Sequence, residues 1–336
     1  MMARVDQEAR ICGLTAVSAE NDFFELTVLP EVGGKIYDLI WKSSGEQLLW
    51  HNPRIRPQPY PVDTNFDNYW CGGWDEGFPT CDPCEHKGES FPNLGELRSV
   101  HWSVEEAGVR QGVAVVRLSA YGPISPVRAE KTILIDRDVV AVSSRITNIG
   151  PAPLDFIWGS HPALAITPST VFRLPAKTGV VGLSSDRQLG SPGQRYTWPF
   201  LKTSEGTTDM SRALPFKASV FCGHYATDLE DGWYAAEDGE TANGVLFRFP
   251  LDSCPYLWMW LVYGGWRGYY HAIIEPWTSC PVHLAEAVRQ GTGRTLDPGA
   301  IFSVTIHVVP YSAPETWRDA LAKTNATHSV MDRRDS

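Results

Sequence analysis

Two residues far apart in the sequence carry side chains suited to proton transfer. His161 follows a strand-like run, residues 154–158, in which alternate positions are apolar, and Pro162 restricts the chain directly after it. Glu275 leaves the apolar run of residues 272–274, and a proline follows it. An imidazole with a pKa near neutrality and a carboxylate can exchange protons with a bound ligand. We therefore predict that His161 and Glu275 meet at one pocket.

Each of these residues also has a purely structural interpretation. His161 could be a buried histidine bonded to a backbone carbonyl. Glu275 could form an ion pair with Arg248 or Arg267, since a buried carboxylate without a partner is costly. Glu286 is the runner-up for the carboxylate, but it lies on a predicted short helix where we expect it to be solvated.

The composition indicates which kind of fold must bring the pair together. The 336 residues include 13 tryptophans, 25 prolines and 29 glycines, which is typical of a turn-rich β protein with aromatic surfaces. Short alternating runs separated by turn signals predict an all-β fold, a large antiparallel β-sandwich with few short helices. Helices are predicted only around residues 283–289 and 316–323. We expect a single domain over residues 1–336, with its core at about residues 23–310.

The net charge and the hydropathy of the chain limit the classes of partner that we expect the protein to bind. The net charge of −10 argues against nucleic acid and against an anionic membrane surface. The sequence has no apolar run near the ~18 residues that cross a bilayer and no signal-peptide pattern at its start. The seven cysteines are scattered, which fits a reducing compartment. The expected location is cytoplasmic.

One cysteine cluster invites a metal interpretation. Cys81 and Cys84 have Cys-x-x-Cys spacing, His86 follows, and Cys71 lies ten residues earlier. This is only part of a zinc signature, because no second Cys-x-x-Cys or matching histidine pair appears. The thiols could instead pack within a loop. We predict no metal and no cofactor.

Several short motifs in a fixed order carry a family resemblance. They are Leu29-Pro-Glu-Val-Gly-Gly34, Gln47-Leu-Leu-Trp50, Gly72-Gly-Trp-Asp-Glu76, Asn148-Ile-Gly150, Trp158-Gly-Ser-His-Pro162, Ile274-Glu-Pro276 and Leu296-Asp-Pro-Gly299. Over roughly residues 23 to 310 the chain resembles the aldose 1-epimerase (galactose mutarotase-like) superfamily, in particular its uncharacterised aldose-epimerase-like branch.

The resemblance implies a β-sandwich that holds one sugar, with His161 as the general acid and Glu275 as the general base. It also reveals a departure. Family members commonly carry a second histidine, in a His-Gly pair, that touches the sugar, and Leu94 stands at that position here. The departure leaves room for a different substrate or reaction.

A sugar site needs flat apolar rings and polar groups that bind paired hydroxyls. Arg267 could bind a carboxylate, sulfate or phosphate on the substrate. The predicted substrate-binding residues are Trp74, Asp75, Glu76, Trp158, Trp260, Trp266 and Arg267.

The expected function is anomer interconversion of a monosaccharide or sugar derivative, by an enzyme that is a monomer or homodimer. Three alternatives remain open at this point. They are a lyase or glycosidase on the same scaffold, a sugar-binding protein without catalysis, and a metal-dependent isomerase.

Overall fold

A computed structural model describes the backbone of residues 3–331 and the side chains of residues 3–324. Strands dominate it. The first thirteen in chain order are β1 Arg4–Ile11, β2 Leu14–Glu20, β3 Phe24–Leu29, β4 Lys35–Trp41, β5 Glu46–Gln47, β6 Trp74–Gly77, β7 Cys84–His86, β8 Glu89–Phe91, β9 Ser103–Arg110, β10 Val113–Tyr121, β11 Val127–Asp136, β12 Val139–Asn148 and β13 Leu154–Phe156. The others are β14 Gly159–Leu164, β15 Thr170–Arg173, β16 Ala176–Ser184, β17 Arg195–Thr197, β18 Phe200–Thr203, β19 Gly206–Asp209, β20 Val220–Leu229, β21 Trp233–Asp238, β22 Gly244–Arg248, β23 Tyr256–Tyr263, β24 Tyr270–Trp277, β25 Arg294–Leu296 and β26 Ile301–Tyr311.

Two antiparallel sheets form a sandwich, as predicted. The large sheet has the order β1-β2-β3-β4-β6-β14-β24-β23-β20-β16-β17, with β5 beside β4. The small sheet has the order β15-β21-β22-β26-β12-β11-β10-β9. Three two-stranded ribbons, β13-β25, β18-β19 and β7-β8, complete the pairing among the described residues. The all-β fold class is confirmed.

Period-two alternation explains how the sheets pack. In β11 buried and partly buried residues alternate along all ten positions, as expected for a strand with one face in the core. The main core cluster contains side chains of both sheets, from Val17 to Val308. We call the face of the large sheet turned toward this core its inner face. A second cluster, which includes Trp258, Ile273 and Trp277, lies on the outer face of the large sheet.

Helix is scarce. Helix α1 covers Leu284–Gln290, begins after the N-cap His283 and ends at Gly291, close to the predicted bounds. Helix α2 covers Trp317–Met331. Short 3-10 turns lie at Phe66–Asn68, Arg187–Leu189 and Phe216–Ala218. Within the described part of the chain, neither helix combines the length and apolarity that a membrane span requires.

The segment from residue 52 to residue 97, where periodicity fades, is not all loop. It contains β6, which sits in the middle of the large sheet between β4 and β14. The sequence Trp-Asp-Glu-Gly of β6 has no apolar alternation because both of its faces are buried and its two carboxylates are paired with lysines. The neighbouring stretches remain irregular.

Candidate active site

His161 and Glu275 lie on neighbouring strands of the large sheet. Strand β14 pairs with β24 in one constant register, with Gly159 opposite Trp277 and Ala163 opposite Ile273. The same register places His161 opposite Glu275. Facing residues of an antiparallel pair point to the same face of the sheet with Cβ atoms roughly 4.5–5.5 Å apart. The two groups therefore converge, as the sequence predicted.

Both side chains line a pocket on the outer face. Its volume is about 200 Å³, below the roughly 300–1,000 Å³ of pockets that bury drug-sized ligands. A pocket of this size suits a small ligand. The lining residues are Phe66, Asp67, Trp70, Cys81, Asp82, Asn93, Leu94, His161, Leu183, Trp258, Trp260, Trp266, Ile273 and Glu275.

Glu275 is held from one side by an indole. It is 1% exposed, and Trp277 Nε1 donates a hydrogen bond to its Oε2 at 3.0 Å. Burial raises the pKa of Glu275 well above the ordinary value of 4.5, and the bond from Trp277 opposes this shift. The Trp277 ring packs against Gly159, where an added Cβ would come within 2.2 Å of it. Glycine at this position thus lets Trp277 reach the carboxylate.

His161 is almost as deeply buried, with 7% exposure. Aromatic rings surround it, with the Phe66 and Trp70 centroids at 6.0 and 5.7 Å from its own. Burial lowers its pKa from 6.5 to about 4, and the nearby Asp75 carboxylate opposes the shift. Its Nδ1 atom has no hydrogen-bond partner among the described residues. Through Nδ1, therefore, the ring does not bond a backbone carbonyl.

Tryptophans form the walls of the pocket. Trp260 and Trp266 both line it, with ring centroids 5.7 Å apart at an angle of 81°. Trp258 pairs with Glu275 across β23 and β24 and lies over Gly223, where a Cβ would come within 2.3 Å of its ring. Such rings offer the flat apolar faces that sugar C–H groups contact.

Leu94 occupies the position where the resemblance implies a histidine. It is buried, lines the pocket, and adopts a left-handed backbone with φ +57°. Its backbone N–H donates to the Cys81 carbonyl. At this point the pocket therefore presents an apolar wall in place of a hydrogen-bonding ring.

Five of the seven predicted binding residues, Arg267 among them, do not line the pocket. Trp74 and Glu76 point to the inner face, where the Trp74 indole donates to Ser160 and Glu76 contacts Lys131. Trp158 also faces the core, with its ring centroid 5.9 Å from that of Phe302. Period-two alternation separates them from Asp75, which is on the outer face beside His161 but behind the pocket wall.

The two arginines considered as partners of Glu275 are engaged elsewhere. Arg248 pairs with Asp231. Arg267 Nη1 donates to the backbone carbonyl of Asp67 at 2.6 Å and its Nη2 lies 3.2 Å from Asn68 Oδ1. Arg267 thus ties the Phe66–Asn68 turn to the sheet and does not line the pocket.

The cysteine cluster does not assemble around a common point. His86 Nε2 lies 3.0 Å from Asp155 Oδ2, whereas Cys81 lines the pocket and Cys71 is buried. Within the described part of the chain, no three His, Cys, Asp or Glu side chains are grouped so as to hold a metal ion.

Searches with family models find no match to this chain, but solved structures match it over most of its length. The Slr1438 protein from Synechocystis sp. PCC 6803 is 16% identical with a TM-score of 0.65, covering 91% of this chain and 98% of that one. A galactose mutarotase-like protein from Clostridium acetobutylicum is 13% identical with a TM-score of 0.66, covering 93% and 99%. A galactose mutarotase related enzyme from Lactobacillus acidophilus is 15% identical with a TM-score of 0.61, covering 90% and 99%.

The chain has the galactose mutarotase-like fold. The resemblance first noted in short motifs is thereby confirmed at the level of the fold. At these identities the likeness extends to architecture and not to activity.

The galactose mutarotase-like fold also brings residues to the pocket that sequence reasoning did not name. Most lie in the long segment between residues 52 and 97, whose aromatic density and lack of periodicity were the available signal. They are Phe66, Asp67, Trp70, Asp82, Asn93, Leu183 and Ile273.

Proposed function

We propose that the protein interconverts the anomers of a monosaccharide by proton transfer between the sugar, His161 and Glu275. The observation that carries the proposal is that both side chains, from neighbouring strands, line one small pocket walled by tryptophans. Ring opening needs one group to protonate the ring oxygen while another removes the anomeric hydroxyl proton. The C1–O5 bond then breaks and the carbonyl forms. After rotation about C1–C2, closure on the other face returns both protons.

Burial biases the resting state of the pair. It lowers the pKa of His161 and raises the pKa of Glu275, so both shifts favour the uncharged forms. The empty site then holds its one transferable proton on Glu275, with the imidazole ready to accept. Ring opening leaves the complementary arrangement, with the proton on His161, and ring closure returns the proton to Glu275. Both directions of anomer exchange therefore start and end in the same arrangement, which reverses the acid and base roles that the resemblance implies.

The charge of the pocket favours an uncharged sugar. Three carboxyl groups line it, those of Asp67, Asp82 and Glu275, and no lysine or arginine does among the described residues. A phosphate or carboxylate in the same small space would meet no countercharge in the pocket lining, and the neighbouring Arg267 already lies 4.0 Å from the Asp67 carboxylate. Carboxyl groups are instead good acceptors for sugar hydroxyls.

The proposal is tested by exchange NMR, which measures α/β interconversion over a panel of neutral, acidic and phosphorylated sugars. We expect acceleration for one or more neutral sugars and none for the anionic ones. Glu275→Gln and His161→Gln should each lower the rate by about 10²- to 10⁴-fold. Glu286→Gln is the control, because that residue lies on α1 outside the pocket and contacts Arg289 and Gln290. Equal rates in wild type and Glu275→Gln would overturn the proposal.

Leu94 favours a second candidate, a sugar-binding protein without catalysis. A leucine at the position of the family histidine removes a polar contact while leaving the aromatic walls in place. In that case a neutral sugar would bind equally well to wild type and His161→Ala, and neither protein would accelerate anomer exchange.

A further inference from the structure

A single row of side chains crosses the outer face of the large sheet. Strand β6 pairs with β14 so that Asp75 faces His161 directly, and His161 in turn faces Glu275 by the register of β14 with β24. On the other side, Ile36 pairs with Trp74, which puts Lys35 beside Asp75. Basic and acidic side chains thus alternate along the row toward the pocket.

The first two members of the row form a fully buried ion pair. The side chains of Lys35 and Asp75 are each 1% exposed, and the ammonium group contacts Asp75 Oδ2. Lys35 Nζ also donates to the carbonyl of Gly72 at 2.7 Å. The second carboxylate oxygen, Asp75 Oδ1, is buried without a hydrogen-bond partner among the described side chains and backbone. An unmet buried acceptor of this kind is costly and is seldom kept without a role.

The matching unmet donor is on the next strand. His161 Nδ1 is likewise buried and without a partner in the described part of the chain. Because Asp75 and His161 are a facing pair on one side of the sheet, their Cβ atoms lie roughly 4.5–5.5 Å apart. A carboxylate at that spacing can reach an imidazole nitrogen directly or through one water.

We propose that Asp75, anchored by Lys35, is a positioning residue that accepts a hydrogen bond from His161 Nδ1 and so presents Nε2 as the proton-transfer atom. This inference rests on the proposed function for its consequence, but not for its first measurement. The anchor matters because Lys35 occupies Oδ2 and leaves only Oδ1 for the ring. An imidazole fixed in one tautomer avoids the reorientation that proton transfer would otherwise require.

Other groups near the ring do not offer the same contact. Glu275 faces His161 from β24 but lies on the pocket side, with one oxygen bound by Trp277. His271 lies on the same strand as Glu275, and its ring nitrogens also lack partners among the described residues. It is uncharged, because burial lowers its pKa from 6.5 to about 3, so it is a weaker acceptor than a carboxylate. The remaining carboxyl groups, Asp67 and Asp82, line the pocket itself.

The test reads the tautomer of His161 by ¹⁵N NMR of the full-length protein at neutral pH. The signal is assigned as the one missing from His161→Gln. In wild type we expect the Nδ1–H tautomer. In Asp75→Asn and in Lys35→Met/Asp75→Asn we expect loss of that preference. The double variant removes both charges at similar volume, which guards against unfolding caused by an unpaired buried lysine.

The matched control is Glu76→Gln, which removes the adjacent buried carboxylate on the inner face of the same strand. It should leave the tautomer of His161 unchanged. A tautomer that is the same in wild type and both Asp75 variants, or that shifts equally in Glu76→Gln, overturns the inference.

The second readout is kinetic. For a sugar that wild type interconverts, Asp75→Asn should lower kcat by between about tenfold and 10⁴-fold with little change in KM, because the residue does not line the pocket. An unchanged kcat overturns the inference even if the tautomer shifts. If wild type accelerates exchange of no sugar, the proposed function fails, while the tautomer measurement still decides the Asp75–His161 contact.

Discussion

Strand β6 carries two buried lysine–carboxylate pairs on opposite faces, and they differ in how completely they are satisfied. On the inner face, Glu76 Oε1 lies 3.3 Å from Lys131 and accepts a hydrogen bond from Ser144 at 2.7 Å. Lys131 also donates to the carbonyl of Gly34. On the outer face, Asp75 contacts Lys35, but its Oδ1, on the facing partner of His161, has no hydrogen-bond partner among the described residues. In the described part of the chain the inner pair has no fully buried atom without a partner, whereas the outer pair leaves this acceptor unmet.

The difference separates a stabilising role from a functional one. Buried ion pairs repay their desolvation only when hydrogen bonds satisfy the remaining atoms, as the inner pair does. The outer face contains further unmet polar atoms, including both ring nitrogens of His271. Unmet buried atoms also occur in the core, at Trp158 Nε1 and Tyr263 Oη, but those of the outer face lie beside the pocket, as is common at functional sites.

The largest expected effect tests whether the two lysine–carboxylate pairs contribute equally to the stability of the fold. Lys131→Met and Lys35→Met each leave a carboxylate buried without its cation, so each should lower the free energy of unfolding by about 3–5 kcal/mol. Urea unfolding at neutral pH measures this. The double variant Lys131→Met/Glu76→Leu should recover most of the loss. A loss below about 1 kcal/mol in Lys131→Met would contradict the stabilising role of the inner pair.

The next effect concerns the pH dependence of stability that His271, on the outer face, should cause. His271 has a pKa of about 3, against an ordinary 6.5. Below pH 6.5 the unfolded chain therefore binds a proton that the folded chain does not, and stability falls as the pH falls toward 3. When the pH is lowered from about 7 to about 4.5, the free energy of unfolding should fall by about 2–3 kcal/mol less in His271→Phe than in wild type.

The control for the pH prediction is His101→Gln, because His101 is exposed. Denaturant unfolding at the two pH values should give the wild-type difference in this variant. A His271→Phe protein that loses as much stability as wild type would show that His271 is already protonated in the folded chain.

A smaller effect tests the close packing of Gly159 against Trp277 on the outer face of the large sheet. A methyl group on Gly159 would come within 2.2 Å of the Trp277 ring, so Gly159→Ala should cost about 1–3 kcal/mol through overpacking. It should also lower the rate of anomer exchange, since Trp277 then moves away from Glu275. Gly108→Ala is the matched control, because no atom lies within 4 Å of the added Cβ there. Thermal unfolding that shows equal shifts for both variants would refute the packing argument.

The smallest effect is expected for Arg267, whose bonds to the Phe66–Asn68 turn lie near solvent. Arg267→Gln removes these bonds, so stability should change by less than about 1 kcal/mol. Sugar affinity should weaken modestly, with no change in preference between neutral and phosphorylated sugars. A selective loss of phosphorylated-sugar binding, measured by calorimetry, would show instead that Arg267 binds anions.

The elements best predicted from the sequence are those that a local residue pattern specifies. Alternating runs such as β11 and the capped helix α1 follow from side-chain periodicity and capping, which are local properties. The element least well predicted is β6, whose four residues resemble a loop because they contain no apolar alternation. Lys35 and Lys131, which pair with its carboxylates, are 40 and 55 positions away along the chain, and no local rule reveals such partners.

For the same reason, some of the predicted binding residues line the pocket and others do not. Trp260 and Trp266 line the pocket, and their strand and turn were visible in the sequence. As part of a loop, Trp74, Asp75 and Glu76 are predicted to act together on the substrate, yet in a strand adjacent side chains point to opposite faces. Once β6 is known to be a strand, the separation follows directly.

The sequence by itself determined the all-β character of the protein and its two proton-transfer candidates, because strand alternation and the chemistry of imidazole and carboxylate are properties of short segments. Only the tertiary structure decided that β6 lies between β4 and β14 and that Asp75, not Glu76, faces His161. The physical reason is that sheet register acts between distant segments, and a shift of one residue would exchange the two faces.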